Sequence, residues 1–94
     1  MKMRYDYFSL AKFVNNLSRE VVFYNEFKGI RWRTEIWHKT ENGWEKVFPR
    51  DVKLIIASRL PEVLCTSWNI NETYKLLRIM SNTHSKDFLK KEEE

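Results

Sequence analysis

The chain has 94 residues, a net charge of +4, 43% hydrophobic residues and 14 aromatic rings (six Phe, four Trp, four Tyr), which fits one small domain and argues against disorder along its whole length. Its two glycines, Gly29 and Gly43, are too few and too far apart for a phosphate-cradling loop, a dinucleotide fingerprint or a nucleophile elbow. Its single cysteine, Cys65, excludes an intrachain disulfide and a multi-thiolate zinc site.

The first element is expected to be a helix over about residues 7–19. Tyr7, Leu10, Val14, Leu17 and Val21 recur at steps of three and four, and Asp6 or Ser9 is available as a cap. The period then changes. Residues 20–27 are rich in β-branched and aromatic side chains, and residues 30–39 alternate clearly. Residues 44–48 make a third strand, after Asn42-Gly43, a strong hairpin signal. Beyond Pro49, Asp51 is a good cap for a helix over about 51–60, with Val52, Ile55, Ile56 and Leu60 on one stripe. Pro61 interrupts it, and Pro61-Glu62 opens a short helix. Asn71-Glu72 is expected to cap a last helix carrying Tyr74, Leu77 and Met80 to about residue 81. Ser81-Asn82-Thr83 reads as a linker, and residues 82–94 as a fraying tail that ends in the charge run Lys90-Lys91-Glu92-Glu93-Glu94. The expected fold is therefore α+β: one domain over residues 1–94, a three-stranded antiparallel meander packed with helices, order α-β-β-β-α-α.

Two-residue turns at Lys28-Gly29 and Asn42-Gly43 set a register. Glu26 then faces Arg31, Tyr24 faces Arg33, and Lys39 faces Lys46. One sheet face becomes Val21, Phe23, Asn25, Phe27, Ile30, Trp32, Ile36, His38 and Val47, mostly apolar and suited to packing under helices. The opposite face gathers Arg31, Arg33, Lys39 and Lys46 with Tyr24, Trp37, Trp44 and Phe48. Cations contact phosphates and exposed rings stack bases, so this second face is the candidate nucleic-acid site. The charge distribution agrees: residues 1–26 carry +1, residues 27–59 carry +4 and residues 60–94 carry −1. The alternative is that the C-terminal helices cover this face, which turns its rings into core and its cations into rim.

Nothing in the sequence assembles a catalytic set. His38 falls on the apolar face as a core histidine, His84 in a polar loop, and Cys65 in Val63-Leu64-Cys65, where a free thiol behaves as a small hydrophobe. Glu41 and Glu45 flank a turn, where acids serve solubility. No cofactor and no metal are expected. No apolar run of about 7 to 15 residues follows Met1, and no stretch approaches the roughly 18 residues of a membrane span, so a cytoplasmic protein without membrane association is expected. The expected function is a small non-enzymatic nucleic-acid-binding protein, of a regulatory kind, acting through Tyr24, Arg31, Arg33, Trp37, Lys39, Trp44 and Lys46. The alternative is a protein-interaction module, an inhibitor or adaptor of a larger host or viral machine, using the same face. A homodimer through that face is a further expectation.

Overall fold

The computed structural model describes residues 7–90; the Asp6 cap, the N-terminal hexapeptide and the end of the charged tail lie outside them. The elements run α1 (Tyr7–Leu17), β1 (Val21–Lys28), β2 (Arg31–Thr40), β3 (Gly43–Val47), α2 (Pro49–Arg59), a 3-10 turn (Glu62–Leu64), α3 (Ser67–Met80), β4 (Asn82–Thr83) and α4 (Asp87–Lys90). The sheet has four strands in the order β3-β2-β1-β4. The three long strands form the expected antiparallel meander. β4, which falls in the expected linker, adds parallel to β1 through Phe23↔Asn82 and Tyr24↔Thr83 and makes the sheet mixed.

Both hairpins turn at different residues from those expected. Lys28 pairs with Arg31, so the first loop is Gly29-Ile30; Thr40 pairs with Gly43, so the second is Glu41-Asn42. Backbone conformation explains both shifts. Gly29, at φ +73°, takes the first loop position, and Ile30 N–H donates to Lys28 O across it at 2.8 Å, a tight turn whose positive φ suits glycine. Gly43, at φ +101°, supplies the positive φ just after the second loop, so Asn42 has no need of it. The Thr40 hydroxyl closes that loop, accepting from Asn42 N–H (3.2 Å) and donating to Gly43 O (3.0 Å). Each shift moves the partner by two residues, so every side chain keeps its face. The opposed pairs change. Lys46 faces Trp37, Lys39 faces Trp44, Glu26 faces Arg33, Tyr24 faces Glu35, and the like-charged pair is Lys28 with Arg31 rather than Lys39 with Lys46.

The core forms on the first face. Leu10, Val14 and Leu17 of α1 meet Val21, Phe23 and Ile36 of the sheet, together with Val52, Ile56 and Leu60 from α2 and its C-cap, and Leu77 from α3. Each such side chain, fully buried, contributes roughly 1.5–3 kcal/mol. α2 starts two residues before the expected Asp51 cap. Pro49 opens it at the first helical position, and the Asp51 carboxylate reaches back to accept from Phe48 N–H at 2.8 Å. α3 is capped by Thr66, whose hydroxyl accepts from Asn69 N–H at 3.1 Å, so Asn71 sits inside the helix. Its buried stripe is Asn69, Thr73 and Leu77; Met80 is exposed. The two polar members are satisfied locally: Asn69 Nδ2 donates to Leu64 O (2.8 Å), and the Thr73 hydroxyl donates to Asn69 O (2.6 Å).

Glu20, in the α1–β1 connection, ties three elements together. It accepts from Arg59 at the end of α2 and lies 3.4 Å from His38 Nε2 on β2, so His38 is a partnered, half-buried histidine. The hydrogen bond from Arg59 holds the Glu20 carboxyl below its ordinary value of 4.5; burial pushes the other way, and the charges of Arg59 and His38 add to the lowering. A depressed carboxylate stabilises the fold above 4.5, and that contribution disappears as pH falls through the folded value. Chemical denaturation is expected to show Glu20→Gln less stable than the wild type at neutral pH, the gap closing as pH drops below 4.5.

Candidate nucleic-acid interface

The seven candidate residues share one sheet face as expected, but they do not form one open surface. The chain after β4 crosses the β1 edge of the sheet and lays α4 over the rings. Phe88 stands edge-on to Trp44 (5.0 Å between ring centroids) and to Trp37 (6.3 Å). Lys86 lies 4.9 Å over the Tyr24 ring. Tyr24, Trp37 and Trp44 are consequently half-buried, and the buried indole nitrogen of Trp44 has no hydrogen-bond partner among the described residues. Tyr24, Trp37 and Trp44 therefore sit partly covered by a strap and do not form an open stacking platform.

The cations of this face divide in the same way. Glu35 gathers Lys46 (3.2 Å) and Lys86 (3.4 Å) and accepts from the Trp37 indole N–H (3.3 Å). Burial pushes its carboxyl up, but the hydrogen bonds from Lys46 and Trp37 and the charges of Lys86 and Lys46 outweigh that and leave it below the ordinary value. Lys46 also lies 5.7 Å over the Trp37 ring, so its charge is engaged within the sheet. Lys39 is exposed at the far end of β2. Arg31 and Arg33 are exposed at the opposite end, beyond the strap, opposite Lys28 and Glu26 respectively. Lys28 and Glu26 form an exposed ion pair at 3.3 Å.

The open rings lie on the other face. β2 has ten residues, about 33 Å of strand, whereas the eleven residues of α2 make a helix about 16 Å long. The helices cover Val21, Phe23 and Ile36 and leave the distal half of the hairpin bare. Phe27 is 54% exposed, Trp32 60%, and Ile30 at the tip 92%. Phe27 and Trp32 oppose each other with ring centroids 5.4 Å apart, and His84 packs on Trp32 at 5.3 Å. His84 is thus no loose loop residue; its Nδ1 lies 3.2 Å from Asn25 O. Asn25 also accepts from the Thr34 hydroxyl (2.7 Å) and donates to the Asn82 side chain. Phe48, expected on the strapped face, leaves the sheet to cap α2 and is 70% exposed. Missing these residues had a clear cause: alternation identifies which side chains share a face, but not how far along a strand the helices reach.

Cys65 is exposed, with its thiol 3.6 Å from Ala57 O, and not the buried hydrophobe expected of its neighbourhood. Among the described residues no group of three or more His, Cys, Asp or Glu is placed to hold a metal, and no helix is long and apolar enough to cross a membrane. Comparisons with family models, curated proteins and solved structures return no match.

Phe88 anchors the strap. Phe88→Ala is expected to lower stability by about 1 kcal/mol, as for loss of a half-buried ring. It is also expected to increase acrylamide quenching of tryptophan fluorescence, as Trp37 and Trp44 become accessible. Unchanged quenching in the folded variant would show that α4 does not shield them.

Proposed function

We propose that the protein is a non-enzymatic nucleic-acid-binding module whose contact surface is the projecting end of the β1–β2 hairpin. The observation that carries this reading is the composition of that end. Lys28, Arg31 and Arg33 line one side with one acid, Glu26, among them, while Phe27 and Trp32 present exposed rings on the other. A two-stranded ribbon free of helices is narrow enough to lie in a groove or to be wrapped by a strand. Lys28 opposite Arg31 is a like-charge cross-strand pair, which the Lys28–Glu26 ion pair offsets in part and a bound anion would offset further. Of the seven residues first assembled, Arg31 and Arg33 remain in the proposed contact surface; Tyr24, Trp37 and Trp44 belong to the strap, Lys46 to the Glu35 cluster, and Lys39 lies at the far end of β2.

Exposed Phe27, Ile30 and Trp32 also suit anchors in a protein interface, which keeps a protein-interaction module as the second reading. Salt separates the two. Phosphate contacts release counterions, so affinity for nucleic acid falls steeply with salt. Fluorescence anisotropy on labelled DNA and RNA at several salt concentrations is expected to show such a fall. Arg31→Ala and Arg33→Ala are each expected to weaken binding and to reduce the salt slope by about one unit. No binding to either nucleic acid at low salt would leave the protein-interaction reading.

A further inference from the structure

Where β3 ends, one edge of β2 is left unpaired among the described residues. The β2–β3 ladder stops at Ile36↔Val47, and Phe48-Pro49 turns the chain away into α2. The direction of the remaining β2 backbone follows from Lys39, whose N–H bonds to Glu20 O on the β1 side at 2.7 Å. Backbone groups alternate along an antiparallel strand, so the even-numbered residues point the other way. Trp32 and Thr34 therefore aim their N–H and C=O groups outward, with no strand partner among the described residues. Beside this edge lies an open cleft of about 330 Å³, at the small end of the range for ligand sites. It is lined by Phe48, Pro49 and Tyr74 together with the cations Arg33, Lys46 and Arg78. Glu35, the acid in the lining, is already held by Lys46 and Lys86. Tyr74 is fixed in place, edge-on to Phe23 at 5.7 Å and under Lys53 at 5.2 Å.

We infer that this cleft takes one unpaired base of a single-stranded nucleic acid, whose backbone continues over Arg33 onto the hairpin. The inference rests on the nucleic-acid reading above and narrows it to single strands. Four features carry it together. The exposed Phe48 ring offers a stacking surface, which only an unpaired base can use, because duplex bases already stack on one another. The outward N–H and C=O of Thr34 offer a donor and an acceptor side by side, which match the edge of a base. Arg33 and Arg78 supply cations for the flanking phosphates. The volume suits one base and excludes a duplex segment. Arg33 lines the cleft and belongs to the hairpin, so the two surfaces form one track.

The test compares labelled oligothymidylate, oligouridylate and a DNA duplex of equal length, bound to the full chain at low salt. The wild type is expected to bind the single strands at least tenfold more tightly than the duplex. Phe48→Ala is expected to weaken single-strand binding about fivefold or more, and Phe48→Trp to restore it. Arg78→Ala is expected to weaken it and to reduce the single-strand salt slope by about 0.7, and Arg78→Lys to preserve the slope. Phe48 and Arg78 are exposed, so each variant is expected to fold, and circular dichroism of each is the check. Equal affinity for single strand and duplex overturns the inference. So does wild-type binding by Phe48→Ala and Arg78→Ala where Arg31→Ala still weakens it; either result leaves the hairpin reading in place. Absence of binding to all three probes removes both.

Discussion

The two central strands are longer than anything packed against them, and the surface chemistry of the protein follows from that mismatch. A strand advances about 3.3 Å per residue and a helix about 1.5 Å, so elements of similar residue count differ in length about twofold. α1 and α2 have eleven residues each, and β2 has ten. The helices therefore bury one half of a sheet face and no more. Val21, Phe23 and Ile36 lie under them; Phe27 and Trp32, further along the same face with the same alternation, lie in water. Exposing two large rings and an isoleucine at a hairpin end forgoes burial energy that a small domain needs, which is the physical ground for reading that end as a contact surface.

How much of this could be read from residues alone divides along the same line. The α1 stripe of Leu10, Val14 and Leu17 and the alternation of β1 and β2 report local periodicity, and the structure keeps both. Face assignment survived two misplaced turns because each error displaced the pairing by an even number of residues. What periodicity does not contain is long-range. The coverage of Trp37 and Trp44 depends on Phe88, more than forty residues later. The exposure of Trp32 depends on where α2 and α3 stop. Phe48 looked like the end of a strand, and Pro49 like its terminator, although proline at a first helical position is a helix-opening signal.

The strap joins the two faces. β4 fixes the chain at the β1 edge through Phe23 N–H to Ser81 O (3.0 Å), His84 packs on Trp32 on the open side, and Lys86 and Phe88 engage Tyr24, Trp37 and Trp44 on the other. A five-residue stretch, 84–88, thus contacts rings on both sides of a sheet one layer thick. Burying the rings under Phe88 gives the second face the apolar cover that the helices give the first. The cost of that cover is visible in the indole nitrogen of Trp44, a polar group taken out of water without a hydrogen-bond partner among the described residues.

Electrostatics sharpens the contrast between the two ends of the sheet. Glu35 beside the strap and Glu20 in the α1–β1 connection each have two basic partners, and both carboxyls are held below their ordinary value. Charges there are neutralised within the fold, and a polyanion approaching Lys46 must compete with Glu35. At the hairpin end, the three cations Lys28, Arg31 and Arg33 share one acid, Glu26, which lies opposite Arg33 and is ion-paired with Lys28. Charge and exposed rings thus concentrate at the same end, where the helices and the strap both stop. Affinity for a polyanion is therefore expected to reside where the backbone outruns its cover, and the net charge of the whole chain is a weaker guide to it than the placement of three cations.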